Sequence, residues 1–363
     1  MARQVSRCGP GAGHAAPLAV TTCRDTTVRA WHLARTPRGR PEPEDFVCHS
    51  IPLEPPAPGE AWLEPHWLSV DPYMRTRMQP AGYDYLTRWR PGDALSAWGL
   101  ARVVASRGPW REGDWVVGHM PVAERCRLGP SESPQLPPLV LPAATPFPER
   151  WLHARGMTGF TAWLAMRLYG RPRAGETVLV SAGAGAVGSL AIQWAQRAGA
   201  RVVATAGDSA RRDWLTERLG VAAALDHHDS DIASRLAEVA PEGIDLSIEN
   251  VGAGVFEAAI DALVPGGRVV LCGLVGQYNS PEPRRSPRNL SRLTAVGGHL
   301  QPFVVPGHES AHWARFQQDM AQWDAVVAPL DVVDGFDDWP RAFCGLFGDG
   351  GARGVGKRVV RLR

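Results

Sequence analysis

A single tyrosine, Tyr278, stands where a hydroxyl could act on a substrate carbonyl. It lies in the stretch CGLVGQYN (272–279), just after the apolar run GRVVL (267–271), and is one of five tyrosines in the chain. The apolar run has the composition of a buried strand. A phenol, with a pKa near ~10, donates a hydrogen bond while it stays neutral at pH 7. Tyr278 is therefore either a core side chain or a hydrogen-bond donor aimed into an active site.

A second chemical feature is a glycine-rich loop between a predicted strand and a predicted helix. The run TVLVSA (177–182) precedes a G-x-G-x-x-G pattern, and the amphipathic stretch VGSLAIQWAQRAGA (187–200) follows it. Glycines placed in this way allow a tight turn and let the backbone approach a pyrophosphate at the helix N-terminus. The strand before and the helix after make the pattern specific for dinucleotides. The residues predicted to bind are Gly183, Gly185, Ala186, Val187 and Gly188.

The residues after the next predicted strand, RVVATA (201–206), bear on which dinucleotide binds. Arg211 and Arg212 suit a 2′-phosphate, because guanidinium groups form bidentate, charge-assisted hydrogen bonds with phosphate. Asp208 is the opposing signal, since an acid at this place can bind the ribose hydroxyls of NAD. The arginines can also form a solvated helix face. The pattern favours NADPH/NADP⁺ over NAD.

Two composition patterns divide the chain. Runs of strand and helix character alternate over 153–301, which predicts an α/β domain with right-handed crossovers and a doubly wound parallel sheet, the Rossmann arrangement. Short apolar runs broken by Pro and Gly fill 29–152 and predict a mostly β domain. Within it, the Pro-rich stretch 130–148 predicts a connecting loop. Residues 302–363 match the mostly β segment 29–152 in composition, so we expect the chain to return to that domain.

Overall composition excludes several classes of function. The 363 residues suffice for two domains, and the net charge of +2 gives no field that would recruit nucleic acid or a membrane surface. No apolar run approaches the roughly 18 residues that span a bilayer. Six scattered cysteines without a C-x-x-C pair predict free thiols in a reducing, cytoplasmic compartment. Residues 1–28 are rich in Arg, Ala and Gly, and we expect a disordered or atypical extension there in preference to a transit peptide.

Ligands for a catalytic zinc ion are missing from the sequence. The segment LSVDPYMR (68–75), where a zinc alcohol dehydrogenase would carry ligands, contains neither Cys nor a His–Glu pair. The eleven histidines show no H-E-x-x-H spacing. The sequence therefore predicts no metal site.

With this pattern the chain resembles the zinc-independent medium-chain reductases, which include prostaglandin reductase, plant alkenal double-bond reductases and bacterial curcumin reductase. The resemblance runs in the same order from about residue 29 to the end and leaves the first 28 residues outside. Its motifs are LSVDPYMRTRM (68–78), GMTGFTAW (156–163), GETVLVSAGAGAVGS (175–189), LDHH (225–228), GIDLSIENVG (243–252), CGLVGQYN (272–279) and GKRVV (356–360).

The resemblance implies a GroES-like catalytic domain, a homodimer, and NADPH-dependent reduction of the carbon–carbon double bond of a small enone or enal. In that family hydride reaches the β-carbon and the α-carbon is then protonated. Tyr278 matches the tyrosine that holds the enolate oxygen, with the cofactor's ribose 2′-hydroxyl as a rival donor. Arg211 and His227 match positions at the 2′-phosphate, although His227 and His228 can also be surface residues. Asn250, Cys272, Met157 and Thr161 match positions at the cofactor, and Tyr73, Trp98 and His299 match the substrate pocket, with ordinary packing as the alternative.

Several departures from the family bear on the substrate. The sixth strand, predicted over TAVGGHLQ (294–301), reads Gly298-His299-Leu300-Gln301 near its end, which predicts polar groups in place of an aromatic–aliphatic wall. A family Asn is replaced by Gly354. A Pro- and Arg-rich stretch, 280–293, predicts a substrate-side loop whose arginines 284, 285 and 288 either meet an acidic or thioester substrate or keep the loop solvated. A reductive cyclase and a non-catalytic NADPH-binding protein remain alternatives.

Overall fold

The computed structural model describes residues 27–79, 86–129, 137–280, 286–323, 326–348 and 354–363. The strands are β1 (Thr27–Leu33), β2 (Phe46–Pro52), β3 (Ala61–Ser69), β4 (Ser96–Ser106), β5 (Trp115–Pro121), β6 (Cys126–Leu128), β7 (Leu139–Leu141), β8 (Thr177–Val180), β9 (Arg201–Ala206), β10 (Ala223–Asp226), β11 (Ile244–Glu249), β12 (Leu263–Leu271), β13 (His299–Pro302), β14 (Leu330–Asp334) and β15 (Lys357–Arg361). The helices are α1 (Met74–Arg77), α2 (Met157–Trp163), α3 (Ala186–Arg197), α4 (Ser209–Leu219), α5 (Ile232–Val239), α6 (Ala253–Asp261), α7 (Ser291–Ala295), α8 (Glu309–Ala321) and α9 (Trp339–Cys344). A π-helical segment, Leu164–Gly170, continues α2, and 3-10 turns cover Pro43–Asp45, Pro148–Leu152, Val275–Gln277 and Phe336–Asp338.

The predicted doubly wound sheet is confirmed. Six parallel strands lie in the order β10-β9-β8-β11-β12-β13, with β8 and β11 adjacent at the centre. Val178 and Val180 of β8 and Ile248 of β11 are fully buried, as expected for central strands covered on both faces. The strand order reverses between β8 and β11, and the carboxyl ends of strands at such a reversal form a ligand crevice.

The mostly β part is also confirmed. Its main sheet has the order β14-β15-β3-β4-β5-β7, with β6 pairing with β3, while β1 and β2 form a separate antiparallel pair. Strands β14 and β15 come from the end of the chain and pair with β3, so the chain does return to this sheet after building the Rossmann sheet. The exact boundaries at 152/153 and 301/302 stay predictions, and the proposed extension 1–28 lies outside the described residues except for the first two residues of β1.

Two local predictions were wrong. The Pro-rich stretch contains a strand, β7, which pairs with β5 through Leu139, Val140 and Leu141, because the prolines lie on either side of these three residues. The stretch TAVGGHLQ (294–301) was expected to be one strand, but α7 extends to Ala295 and only the last residues join β13. Gly297, with a φ of 60°, ends the helix and turns the chain into the strand.

An aromatic cluster fixes α2 against α8. The ring of Phe160 lies 5.1 Å from that of Trp313 and 5.4 Å from that of Phe316, and all three side chains are buried. The indole N–H of Trp163 donates to Asp319 Oδ2 at 2.8 Å, which satisfies its polar group at the edge of the cluster. This packing holds the first turn of α2, with Met157 and Thr161, beside the crevice.

Candidate active site

A cavity of about 300 Å³ lies where the carboxyl ends of β8, β11 and β12 face the mostly β part. One side is the glycine-rich loop between β8 and α3, and the other comes from β3, β4, β5 and the turn after β12. Aromatic and aliphatic side chains make up most of the wall. The sequence-predicted residues that line it are Tyr73, Trp98, Met157, Thr161, Gly185, Ala186, Val187, Gly188, Asn250, Cys272 and Tyr278.

The glycine-rich loop is shaped so that only glycine fits at its key positions. A Cβ on Gly188 would come within 2.3 Å of Ala182 O, and one on Gly183 within 2.8 Å of Ala204 Cβ. Gly183 therefore packs against β9 and does not line the cavity. Gly185 is the N-cap residue of α3 and does line it. Ala182 adopts a left-handed conformation with a φ of 49°, and its carbonyl accepts the Gly185 N–H at 3.0 Å, which closes a tight turn before α3. This cradle at a helix N-terminus fits a dinucleotide pyrophosphate.

The residues after β9 and β10 bear on the two opposing signals for the dinucleotide, and none of them is part of the cavity lining. Asp208 caps α4 by accepting the Arg211 N–H at 2.9 Å, and its other oxygen lies 3.1 Å from Arg211 Nε. Arg212 is held by Asp226 at 2.8 Å. Asp208 therefore binds the helix N-terminus and Arg211 Nε, and among the described residues we find no hydrogen-bond partner for the two outer nitrogens of Arg211. His227 packs on Gly207, and burial lowers the pKa of His227 to about 4.

Replacing Arg211 with Gln is expected to raise the KM for NADPH about 10- to 100-fold, since a hydrogen bond to a charged group contributes about 1.5–3 kcal/mol. The KM for NADH, which lacks the phosphate, should not change. Steady-state kinetics with both cofactors measure this. Arg218 is an exposed arginine further along α4, so Arg218→Gln is the matched control. An equal loss with both cofactors would contradict a phosphate-binding role for Arg211.

Tyr278 enters the cavity from a single 3-10 turn after β12. Its backbone N–H donates to Val275 O at 3.2 Å, and its carbonyl accepts from Gln79 Nε2 at 3.0 Å, so the backbone is fixed from two sides. The hydroxyl lies over Gly273, where an added Cβ would be 3.1 Å from the phenolic oxygen. The phenolic oxygen is therefore close to Gly273, and both residues line the cavity.

A buried carboxylate, Glu249, organises the loops on the Rossmann side. Its Oε1 accepts from Ser181 Oγ at 3.1 Å, Val251 N at 2.5 Å and Gly252 N at 2.7 Å. Its backbone carbonyl accepts from Cys272 N at 2.9 Å, which ties the loop that carries Asn250 to the turn after β12. Burial raises the pKa of Glu249 to about 7 in spite of these donors. Apart from its place in the motif GIDLSIENVG (243–252), nothing in the sequence indicated that Glu249 has this role.

The titration of Glu249 predicts a pH dependence of stability. A folded-state pKa above the unfolded value near 4.3 gives stability that is present below that value and is lost as the pH rises through about 7. Relative to Glu249→Gln, the wild type should lose about 3 kcal/mol of unfolding free energy between roughly pH 4 and 8. Denaturant titrations at several pH values measure the difference. Glu217→Gln, on the exposed face of α4, is the control. A difference that is constant with pH would refute this role.

A buried charge pair, of which Asp71 lines the cavity, was not predicted. Lys357 is 2% exposed, and its Nζ donates to Asp71 Oδ1 at 2.6 Å and to Val70 O at 2.8 Å. Ser69 Oγ donates to Asp71 Oδ2, and both of these residues line the cavity. Burial lowers the pKa of Lys357, although the ion pair opposes the shift. The preceding residue, Gly356, donates its N–H to Ala184 O at 2.8 Å. The pair therefore connects the cavity wall with the glycine-rich loop.

Trp98 and His119 form the wall on β4 and β5. The Trp98 indole N–H donates to Trp151 O at 3.1 Å, and the His119 ring meets the indole edge-on at 5.4 Å. Burial, together with the charge of Arg77, lowers the pKa of His119 to about 4. His119 was not predicted, because nothing in the spacing of the histidines distinguishes it.

His299 is not brought to the cavity. It begins β13 opposite Arg268, at the amino end of the parallel sheet, and is exposed, as are the other three residues of the strand. The wall near the crevice is made instead by Phe303, Val304 and Val305, which follow the carboxyl end of β13. The expectation that polar groups replace an aromatic–aliphatic wall was therefore wrong, because these three residues just after β13 form such a wall.

Other predicted features lie elsewhere. Arg284 and Arg285 fall outside the described residues, while Arg288 pairs with Glu257 at 2.9 Å on the surface. Cys272 lines the cavity, but burial raises the pKa of its thiol to about 12, so it remains a neutral thiol at pH 7.

Among the described residues we find no group of three or more His, Cys, Asp or Glu that could hold a metal. None of the helices among the described residues is long and apolar enough to cross a membrane.

The six-stranded Rossmann sheet, the mostly β partner and the shared cavity define a medium-chain dehydrogenase/reductase. Two family models match the chain: an N-terminal domain of oxidoreductase over residues 29–133, and a zinc-binding dehydrogenase over residues 186–323. The NADPH-dependent curcumin reductase of Escherichia coli strain K12 is 34% identical over 92% of this chain and 96% of its own length. The 2-alkenal reductase (NADP⁺-dependent) of Nicotiana tabacum is 30% identical over 89% and 94%.

Solved structures agree with the sequence comparison. CurA from Vibrio vulnificus superposes with a TM-score of 0.86 at 31% identity, over 93% of this chain and 99% of its own. Its complex with NADPH superposes with a TM-score of 0.85. The chain belongs to the NADP-dependent double-bond reductase family of the medium-chain dehydrogenases/reductases.

Proposed function

We propose that this protein reduces the carbon–carbon double bond of an α,β-unsaturated carbonyl compound with NADPH. The observation that carries the proposal is that the Tyr278 phenol and the dinucleotide loop at Gly185–Gly188 line one cavity. NADPH, when bound, supplies the hydride that reaches the β-carbon of the substrate. Negative charge then develops on the carbonyl oxygen, and a donor already in place stabilises it.

Tyr278 is the residue proposed to hold that oxygen. Its hydroxyl donates a hydrogen bond to the carbonyl, which strengthens as the oxygen becomes an enolate. The fixed backbone of the turn and the close approach to Gly273 keep the hydroxyl in position before the substrate arrives. The α-carbon is protonated afterwards, either from this phenol or from the cofactor's ribose hydroxyl.

The apolar wall selects and shields the substrate. Trp98, Met157 and Phe303 provide flat or flexible surfaces that suit a conjugated, planar enone. Val304 and Val305 add to the exclusion of water, which strengthens the hydrogen bond from the phenol. Small enals and enones are therefore the proposed substrates.

The proposed use of NADPH rests on the residues that follow β9 and β10. The outer guanidinium nitrogens of Arg211 are the groups for the 2′-phosphate, because Asp208 is engaged as the cap of α4. His227, on Gly207, is placed to contact the adenosine end as a neutral ring. The relatives whose names specify a cofactor are NADPH- or NADP-dependent.

Turnover of a substrate panel tests the proposal. Purified protein is mixed with NADPH and with enals, enones and enoyl thioesters, and oxidation of the cofactor is followed by absorbance. We expect turnover of enals and enones, and none with the saturated analogues of the same compounds. Tight NADPH binding without oxidation by any acceptor would instead support a non-catalytic binding protein.

The structure no longer supports the alternative of a reductive cyclase. It rested on a polar wall at His299 and Gln301, and both residues are exposed on β13, away from the cavity. We propose that this exposed strand serves a homodimer, since its outer edge pairs with no strand among the described residues. Sedimentation analysis of the purified protein measures the oligomeric state.

A further inference from the structure

Glu249 differs from the other buried carboxylates among the described residues in the groups that it binds. Asp45 and Asp71 each pair with a cation, Arg35 and Lys357 respectively. Glu249 is fully buried, and we find no ion pair for it in the described part of the chain. Its Oε1 accepts three hydrogen bonds from uncharged donors, while its Oε2 has no partner. A buried charge without a counter-ion is unfavourable, so the backbone groups that Glu249 binds are what this residue contributes to the fold.

The remaining buried carboxylate, Glu309, has a local role. It accepts the Gly307 N–H at 2.7 Å, at the start of α8. Contrary to what was stated of the histidine spacing, Glu309 belongs to one H-E-x-x-H sequence, residues 308–312. His308 Nε2 lies 3.0 Å from the Tyr169 hydroxyl, and the described residues contain no group of three His, Cys, Asp or Glu ligands there. With this set of ligands the sequence HESAH does not indicate a zinc site.

The loop that Glu249 holds, 249–252, carries the turn that ends at Tyr278, which we call the tyrosine turn (272–278). The backbone carbonyls of residues 249, 250 and 251 accept from the N–H groups of residues 272, 275 and 276, at 2.9, 3.0 and 2.9 Å. Val275 O in turn accepts the Tyr278 N–H at 3.2 Å. The position of Tyr278 therefore depends on the position of this loop.

The Glu249 side chain fixes the same loop from the interior. It binds the N–H groups of Val251 and Gly252, and a Cβ on Gly252 would lie 3.1 Å from the Gln277 side chain in the tyrosine turn. Ser181 Oγ, which donates to Glu249, also accepts the N–H of the loop residue 250 at 2.7 Å. Ser181 directly precedes the turn of the glycine-rich loop, so the carboxylate connects that loop with the tyrosine turn.

We propose that Glu249 is a positioning residue for the reaction, which holds the Tyr278 hydroxyl at the carbonyl oxygen of the substrate through the loop 249–252 and the tyrosine turn. Glu249 does not line the cavity, so it acts without touching the substrate. A displacement of about 1 Å at a reacting group can cost about 10²-fold in rate. The inference rests on the proposed function, since it requires that Tyr278 holds that oxygen.

The kinetic test compares Glu249→Leu, which removes the acceptor, with Glu249→Gln, which keeps one. With para-methylbenzalacetone as the enone and saturating NADPH, Glu249→Leu should lower kcat about 10- to 100-fold with a smaller change in KM, and Glu249→Gln should stay within about threefold of the wild type. In the Tyr278→Phe background, Glu249→Leu should lower kcat less than about threefold, because no hydroxyl remains to be positioned.

Glu176 provides the matched control. It also accepts a backbone N–H, that of Arg173 at 2.9 Å, but it lies before the amino end of β8 and does not line the cavity. Glu176→Leu should weaken the fold and leave kcat unchanged. If Glu249→Leu does not fold, Ser181→Ala, which removes one hydroxyl from the same network, should show the same dependence on Tyr278 with a smaller loss of about 3- to 10-fold.

Amide hydrogen exchange gives a readout that does not depend on turnover. Glu249→Leu should accelerate the exchange of the amides in the tyrosine turn about tenfold relative to those of β4, whereas Glu249→Gln and Glu176→Leu should not. A loss of kcat in Glu249→Leu that is equally large in the Tyr278→Phe background would overturn the positioning role and leave the enone reductase intact. If the wild type reduces no enone, the proposed function fails, and exchange then decides: selective acceleration in Glu249→Leu supports the link to the tyrosine turn, and unchanged exchange overturns it.

Discussion

Replacing Tyr278 with Phe is expected to lower kcat for enone reduction by about 10²- to 10³-fold, the usual cost of removing one donor to a developing oxyanion. The change removes only the hydroxyl, which lies at Gly273 and faces the cavity. Because the hydrogen bond strengthens in the transition state, kcat should fall much more than the KM for the enone rises. Steady-state kinetics with one enone and saturating NADPH measure both quantities.

A second tyrosine provides the control for this substitution. The hydroxyl of Tyr169 pairs with His308 Nε2 at 3.0 Å and does not line the cavity, so Tyr169→Phe should keep the wild-type kcat. The affinity for NADPH should be the same in both variants and in the wild type. An unchanged kcat in Tyr278→Phe would mean that the ribose hydroxyl or water holds the enolate, and would refute the role proposed for the phenol.

Replacing Lys357 with Met is expected to lower the free energy of unfolding by about 3–5 kcal/mol, the range for breaking a buried ion pair from one side. Asp71 is 8% exposed, and its carboxylate would be left in the cavity wall without its cation. The effect should also reach the dinucleotide loop through the hydrogen bond from Gly356 to Ala184. Denaturant titration and NADPH affinity measure the two consequences.

The same strand supplies the control for Lys357. Arg361 of β15 pairs with Asp334 at 2.6 Å, but the side chains are 45% and 66% exposed, so Arg361→Met should cost less than about 1 kcal/mol. Combining Lys357→Met with Asp71→Asn should recover much of the lost stability, because no unpaired charge then remains. Equal costs for the two single variants would contradict the importance of burial for the Lys357–Asp71 pair.

The general fold was predictable because its signals are local. The apolar runs of β8, β9 and β11 alternate with amphipathic helices, and a parallel sheet follows from that alternation. The G-x-G-x-x-G loop was predictable for the same reason, since its strand and helix are its sequence neighbours. Tyr278 was found because it lies in the loop after β12, and the carboxyl end of a parallel strand is where ligands bind.

The features that could not be predicted depend on contacts between distant parts of the chain. Lys357 and Asp71 are 286 positions apart in the sequence, and no local sequence pattern predicts that they form a pair. His119 is one histidine among eleven, and only the fold shows that its ring faces the cavity. Polar groups were predicted in the cavity wall at His299, whereas the lining residue is Phe303, because the bounds of a short edge strand are weakly specified by sequence.

The central claim, reduction of the double bond by hydride transfer to the β-carbon, is tested most directly by isotope transfer. NADPH deuterated at the transferable position of the nicotinamide is reacted with para-methylbenzalacetone, and the product is examined by NMR. We predict the saturated ketone with deuterium on the β-carbon. An allylic alcohol with deuterium on the former carbonyl carbon, or a product without deuterium, would contradict the mechanism.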